Sequence, residues 1–196
     1  VGQYRKIDSG SFCNGEITMA VTSIWPIKTR LDRVIAYVRN PEKTTEKSYQ
    51  DTAALHTIDD VIEYAANDMK TEERKYVSCI GFSREEAALE KFRNIQKLYG
   101  KTDGRICYHG YQSFKTDEVT PDEAHQIGIE TAKRMWNEYE VVVTTHLNTD
   151  NIHNHIVVNS VSFKTGRKFE NHVSDHYKLR EISDLICEER GKSVLP

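Results

Sequence analysis

The chain has 196 residues, of which 38% are hydrophobic and 9% aromatic, enough apolar material for one folded core. Lys and Arg number 27 against 30 Asp and Glu, so the net charge of −3 excludes binding to nucleic acid through bulk positive charge alone. There is no apolar run long enough to span a membrane and no signal-peptide pattern at the start, so we expect neither.

Charge and cysteine spacing add two expectations. The stretches 19–50 (six basic, three acidic residues) and 76–115 (seven against four) each carry +3, which predicts a local basic face unless both are ordinary solvated surface. The four cysteines form no Cys-x-x-Cys pair, which predicts free thiols and a reducing cytoplasm. They are Cys13, Cys79, Cys107 and Cys187.

Strand and helix patterns alternate along the chain. Runs rich in β-branched residues predict strands at 20–27, 76–82, 105–114, 140–147 and 153–163. Apolar residues at helical spacing predict helices that begin near 29, 57, 83, 120 and 174. The first four helices begin with capping boxes, at Thr29/Asp32, Thr57/Asp60, Ser83/Glu86 and Thr120/Glu123.

The last two strands follow one another across a short polar turn, which is typical of antiparallel pairing. We therefore predict an α+β fold: a central antiparallel (or mixed) sheet with helices packed on its face or faces. Residues 19–196 form this domain in our interpretation. Residues 1–18, of mixed polarity, are predicted to be an amino-terminal extension or a cloning remnant.

Three of the eight histidines fall within ten residues. His153 and His155 alternate onto one face of a strand, and the preceding turn can bring His146 beside them. Three neutral imidazoles are good ligands for a divalent metal and leave coordination positions open for substrate oxygens. The alternative is three solvent-exposed histidines at the end of a hairpin.

The motif His146-x-Asn148-x4-His153-x-His155-x3-Asn159 resembles the HxDx4HxHhhhN motif of conjugative relaxases of the MOBP type, in the HUH endonuclease superfamily. Asn148 stands where that pattern usually has Asp, and Asp150 is a nearby carboxylate. Three further segments, 20–44, 108–128 and 169–195, are similar to other parts of the same domain. The likeness is strongest to relaxases of Gram-positive integrative and mobilisable elements, and it implies the palm-like HUH fold.

The resemblance implies a reaction and its residues. Relaxases nick one DNA strand at an origin of transfer through a tyrosine, leaving a 5′-phosphotyrosine and a free 3′-OH, and so begin conjugative transfer or mobilisation. Tyr37 stands at the position of the family tyrosine, with Tyr49 and Tyr64 as the next candidates. The implied cofactor is a divalent ion, Mg²⁺ or Mn²⁺, held by His146, His153 and His155.

Supporting roles are expected for residues near these groups. Asn148, Asp150, Asn159 and His109 are predicted to support the metal site, Asn159 by orienting His155. The DNA bound is expected to be a single-stranded or hairpin segment of the origin. The residues predicted to contact it are Ser113, Arg30, Arg33 and Arg39. The implied partners also include relaxosome accessory proteins and the coupling protein of a type IV secretion system, all in a bacterial cytoplasm.

Two other functions remain open at this point. One is a metal-dependent nuclease in which activated water replaces the tyrosine, and the other is a DNA-binding module of the replication-initiator kind. A covalent adduct with DNA separates the relaxase from both.

Overall fold

The computed structural model describes residues 21–44, 76–83, 87–147 and 151–194. The strands in these ranges are β1 (Val21–Ile27), β2 (Val77–Ile80), β3 (Cys107–Ser113), β4 (Val141–His146) and β5 (His153–Asn159). The helices are α1 (Leu31–Val38), α2 (Pro41–Thr44), α3 (Ala88–Leu98), α4 (Pro121–Met135) and α5 (Val173–Glu189).

The five strands form one sheet in the order β1-β3-β5-β4-β2, and every neighbouring pair is antiparallel. Helices α1 and α3 cover part of one face, where Leu31, Ile35 and Phe92 pack on the sheet residues Val142 and Val157. Helices α4 and α5 cover the other face through a second apolar cluster. The predicted α+β class is confirmed, with a sheet that is antiparallel rather than mixed.

The beginning of α1 differs from the prediction. The residue before the helix is Arg30, in the left-handed conformation with φ 58°, and no side chain caps the helix. The predicted capping box of Thr29 and Asp32 is wrong because Asp32 instead accepts hydrogen bonds from the Arg30 guanidinium, at 2.7 Å for Nη2. The predicted stop at Pro41 is correct for α1, but Pro41 also begins the short helix α2.

Later elements agree more closely with the sequence. The Thr120/Glu123 capping box is present with Pro121 in the first turn of α4. Helix α3 begins at Ala88 rather than at Ser83, and residues 84–86 lie outside the described part. The helix predicted from 57, the boundary at 19 and Cys13 also lie outside it. Within the described ranges, no disulfide involves Cys79, Cys107 or Cys187.

A buried chain of polar side chains joins α4 to the middle of the sheet. The Asn154 amide donates to the side-chain oxygen of Gln112 and to the carbonyl of Ala124, and its own oxygen accepts from Thr145. His125 lies 2.8 Å from the Thr145 hydroxyl. Asn154 needs room to reach these partners, and Gly128 provides it: a Cβ there would lie 2.5 Å from the Asn154 amide nitrogen.

Replacing Gly128 with Ala should therefore destabilise the domain. In an ordinary helix this change is stabilising by about 1 kcal/mol. Here the added methyl collides with Asn154, and we expect a net loss of about 1–3 kcal/mol in the free energy of unfolding. Chemical denaturation measures it, with Lys133→Ala on the exposed side of α4 as the control. A Gly128→Ala variant more stable than the original would contradict the close approach.

Candidate active site

The pairing of β4 with β5 brings the three histidines together. His146 lies directly opposite His153 in the ladder, and His155 is two residues further along the same face. One ligand atom from each of these histidines lies within 4.8 Å of the others. All three are buried, with 1%, 8% and 5% of their surfaces exposed, which excludes the alternative of solvent-exposed hairpin histidines.

Hydrogen bonds decide which ring nitrogen carries the proton. His146 donates from Nε2 to the carbonyl of Val38 at 2.9 Å, and His153 donates from Nδ1 to the carbonyl of Asn151 at 3.0 Å. A carbonyl only accepts, so the lone pair lies on Nδ1 of His146 and on Nε2 of His153. Backbone carbonyls thus fix two tautomers in the form that a metal requires.

The third histidine is fixed by another histidine. His155 Nδ1 lies 2.8 Å from His109 Nε2, and the buried His155 Nε2 has no hydrogen-bond partner within the described part of the chain. A buried nitrogen without a partner is costly, and a metal ion accepting its lone pair removes that cost. The donor set and this unpartnered nitrogen both fit a divalent metal at the triad.

Burial keeps these imidazoles neutral. Desolvation is the main cause that lowers the pKa of His146 to about 4, aided by the neighbouring His153. Desolvation likewise lowers the pKa of His153, and it lowers that of His155 further because His146 and His109 are close. Burial also lowers the pKa of His109, to about 4. A neutral imidazole is the form that binds metal, so these histidines can bind a metal cation at neutral pH.

Tyr37 lies beside the triad. Its ring centroid is 5.4 Å from that of His155 and 5.7 Å from that of His146, in edge-on geometry. The side chain is 46% exposed, because it stands at the edge of the buried stripe of α1. Among the three tyrosines proposed from the sequence, Tyr37 is the one within the described ranges, and its phenol is open to solvent next to the histidines.

A lysine covers the outer side of Tyr37. The ammonium of Lys43 lies 4.1 Å from the centroid of the Tyr37 ring, within the range of a cation–π contact. Helix α2 holds this lysine in place, since the Lys43 carbonyl accepts a hydrogen bond from the backbone of Leu147 at 2.7 Å. The result is a positive charge next to the phenol and the triad.

Two further aromatic side chains border the site on the β1 side. Trp25, on the edge strand, is 39% exposed, and its ring lies 4.8 Å from that of His109. Tyr111 lies 5.1 Å from His153, ring to ring. Lys43, Trp25 and Tyr111 were not predicted from the sequence, because no sequence signal shows the strand pairing that places Trp25 opposite His109.

Some residues predicted to support the site lie elsewhere. Asn159 is on the ligand face but at the far end of β5, where its amide bonds to Gln96, Glu140 and the carbonyl of Phe92. It does not orient His155, whose ring nitrogen is taken by His109. Asn148 and Asp150 lie outside the described residues.

The expected DNA contacts divide in the same way. Ser113 is opposite His153 in the sheet and fully buried. Arg33 is exposed one helical turn before Tyr37. Arg39 is half-buried just after α1. Arg30 is paired with Asp32 at the opposite end of the helix, away from the triad.

Comparison with known proteins gives the same family. The profile of the relaxase family, described as the MobA/VirD2-like nuclease domain, matches residues 64–192. The chain is 40% identical over 107 residues to Protein rlx of Staphylococcus aureus, covering 55% of this chain and 32% of that protein. It is 32% identical over 180 residues to the group II intron-interrupted relaxase LtrB of Lactococcus lactis, covering 84% and 31%. The chain thus spans about a third of these relatives.

Two solved structures share the fold. One was determined for the molecular basis of vancomycin resistance transfer in Staphylococcus aureus; it has a TM-score of 0.56, 12% identity, and coverage of 90% of this chain and 96% of that one. The other is the MobM relaxase domain bound to oriT DNA of plasmid pMV158 and to Mn, with a TM-score of 0.56, 10% identity and coverage of 90% and 89%.

Within the described ranges, no helix is both long and apolar enough to cross a membrane.

The buried imidazoles should make metal affinity resistant to acid. Three exposed histidines with an ordinary pKa would be mostly protonated at pH 5.5, and affinity would fall roughly a thousandfold from pH 7.5. Since the pKa of His146 is about 4 and those of His153 and His155 are also lowered, we expect a loss of at most about tenfold. Mn²⁺ titrations followed by water-proton relaxation at both pH values measure this, and a thousandfold loss would contradict it.

The same shifts affect stability in a defined direction. The folded histidines bind protons less readily than those of the unfolded chain, so the metal-free domain should lose stability as the pH falls from about 6.5 toward 4. The melting temperature of the metal-free domain, measured across this pH interval, should fall with pH. The same measurement tests whether the protein is still folded under the conditions of the metal titrations.

Removing one ligand should weaken metal binding without unfolding the domain. We expect His153→Ala to lower Mn²⁺ affinity by about 100-fold or more, and His109→Ala by about 10- to 100-fold, because His109 acts only through His155. The exposed His176→Ala on α5 is the control and should bind like the original. Calorimetric titration gives the affinities; an unchanged affinity in His153→Ala would remove this residue from the site.

Proposed function

Since the chain belongs to the relaxase family, through its MobA/VirD2-like nuclease domain, we propose that it nicks one strand of DNA at an origin of transfer and so initiates conjugative transfer or mobilisation of a mobile element. The observation that carries this proposal is the exposed phenol of Tyr37 against the buried histidine triad. The neighbours add support, because one solved relaxase with this fold is bound to oriT DNA.

The reaction proposed is a transesterification. The Tyr37 Oη attacks the scissile phosphorus, the bond from phosphorus to the 3′ oxygen breaks, and the 5′ phosphate stays on the tyrosine. The phenol loses its proton and the departing 3′ oxygen gains one, so the products are a 5′-phosphotyrosine and a free 3′-OH. One phosphoester bond is exchanged for another, between phosphorus and the tyrosine, so the step is reversible.

The triad would hold the divalent ion. Of the two ions expected, three imidazole nitrogens favour Mn²⁺ over Mg²⁺, which prefers oxygen ligands. When bound, the ion polarises the non-bridging oxygens of the scissile phosphate and stabilises charge in the transition state. In this proposal His109 keeps the His155 ring in the orientation that points Nε2 into the site.

The remaining side chains position the strand. Lys43 places an ammonium beside the Tyr37 ring, where a phosphate oxygen can approach it. Arg33, exposed one turn away on α1, and Arg39, next after the helix, are proposed to contact neighbouring phosphates. Ser113 is buried opposite His153, so its hydroxyl is proposed to bind near the cut rather than further along the strand.

The wider setting is also proposed. Residues 19–196 would be the catalytic domain, acting in a bacterial cytoplasm on a single-stranded or hairpin segment at the nick site. Relaxosome accessory proteins and a type IV coupling protein would be its partners. Asn148 and Asp150 keep their proposed supporting roles.

The nucleophile is tested with Tyr37→Phe. Phe keeps the ring and its packing on the histidines but removes the attacking oxygen. We expect metal binding and DNA affinity within about twofold of the original, and a loss of cleavage and of covalent adduct by at least about 1,000-fold. Denaturing gels of single-stranded origin DNA incubated with Mn²⁺ measure both, and Tyr177→Phe, an exposed tyrosine on α5, is the control.

Other outcomes identify the alternatives. An adduct that persists in Tyr37→Phe and maps by peptide analysis to Tyr49 or Tyr64 moves the nucleophile but keeps the relaxase. Cleavage without any adduct indicates a water-using nuclease. Binding without cleavage, unaffected by the substitution, indicates a module of the replication-initiator kind.

A further inference from the structure

We propose that a second DNA contact lies at the opposite end of α1 from the nick site: a basic cavity that holds a backbone phosphate of the same strand. This inference rests on the proposed function, because it takes the strand that the triad would cut as the ligand. It assigns a role to Lys28, Arg93 and Lys97, which neither the motif nor the comparisons single out.

The cavity lies between the β1–α1 connection and α3 and measures about 560 Å³. Four cationic side chains line it, together with one carboxylate; they are Lys28, Arg30, Arg93, Lys97 and Asp32. The Arg30–Asp32 ion pair, with 2.7 Å between its closest atoms, makes no net contribution. Lys28, Arg93 and Lys97 form no ion pair with any described residue, so the described lining of the cavity carries a net charge of +3.

Such a cluster calls for an anion. The cationic side chains around the cavity repel one another, and an anion placed between them is attracted to each of them. Arg93 and Lys97 are four residues apart on α3 and therefore point to the same side. Buried Gln96, which also lines the cavity, is tied to Asn159 and the carbonyl of Ile106, so the cavity has a fixed wall. A phosphodiester fits the charge, and this volume is within the range that accommodates a nucleotide-sized group.

Helix α1 connects the cavity to the nick site. Leu31, at its beginning, lines the cavity, and Val38, at its end, accepts the hydrogen bond of His146. Seven rises of 1.5 Å along the helix separate Leu31 from Val38 by about 10 Å. Exposed Arg33 stands between them on the side of Tyr37. A strand with its scissile phosphate at Tyr37 can thus follow α1 and place a later phosphate in the cavity.

The test combines paired substitutions with a series of DNA lengths. Arg93→Gln with Lys97→Gln removes two charges from the cavity, and Lys133→Gln with Lys178→Gln, on the exposed surfaces of α4 and α5, is the charge-matched control. Fluorescence anisotropy measures the affinity for single-stranded origin DNA shortened stepwise from either side of the nick. Nicking of the shortest bound oligonucleotide is measured in parallel.

In the original protein, affinity should fall by about tenfold or more when the DNA becomes too short on one side to reach the cavity. The cavity variant should lose this step, bind the long DNA about tenfold more weakly, and show a salt slope smaller by about one. It should bind and nick the shortest DNA like the original, and the control pair should behave like the original at every length.

Three results would contradict the proposal that the cavity binds a DNA phosphate. These are an unchanged length dependence in the cavity variant, equal losses in both variant pairs, or tight binding of inorganic phosphate that the cavity pair removes while DNA affinity is unchanged. The last result would mean a free anion as the ligand. A failure of the proposed function looks different: the original protein then binds DNA but leaves neither a nick nor an adduct.

Discussion

The register between β4 and β5 is the constraint on which the site depends. His146 is opposite His153, and the two-residue period of the strand puts His155 on the same face. A slip by one residue would turn His153 and His155 toward the other face and leave His146 alone. No single side chain makes the histidine triad; the three rings converge because this one pairing, and no neighbouring pairing, is formed.

The opposite face of the same strand secures that register. Asn154, between the two ligand histidines, satisfies its amide with Gln112, Thr145 and the carbonyl of Ala124 only in the observed alignment. A slipped strand would bury this amide without partners, at a cost of about 1–3 kcal/mol for each group left unpaired. Gly128 takes part because any side chain there would displace Asn154. The polar groups on one face of the sheet thus stabilise the alignment that brings the three histidines together on the other face.

The sequence predicts the parts of the site that follow from local periodicity. Alternation and the short connection between the last two strands were enough to place His146, His153 and His155 together. Tyr37 needed the family resemblance, because the spacing along α1 only marks it as a boundary residue. The role of Asn159 could not be judged from its face alone: a strand of seven residues puts its far end too distant from His155, and Gln96 and Glu140 from other elements take up its amide.

Long-range contacts explain the other misses. The Val38 carbonyl carries no sequence signal, since every residue has one, and its bond to His146 joins positions 108 residues apart. Lys43 was visible only as one charge in a basic stretch, and its contact with Tyr37 depends on the short helix α2 that Pro41 begins. Asp32 matched a capping box, but a neighbouring Arg30 competes for its carboxylate, and the ion pair prevailed.

The bond from His146 to Val38 also links the helix that carries Tyr37, the proposed nucleophile, to the histidine triad. Val38 follows Tyr37 directly, so the backbone that carries the phenol is hydrogen-bonded to a triad residue at 2.9 Å. This bond fixes the backbone next to Tyr37 relative to the triad, and a reaction that depends on alignment would require such a fixed relation between the proposed nucleophile and a bound metal. Because the same short helix reaches the basic cavity at its other end, a strand held at both places would be aligned over the phenol before the chemical step begins.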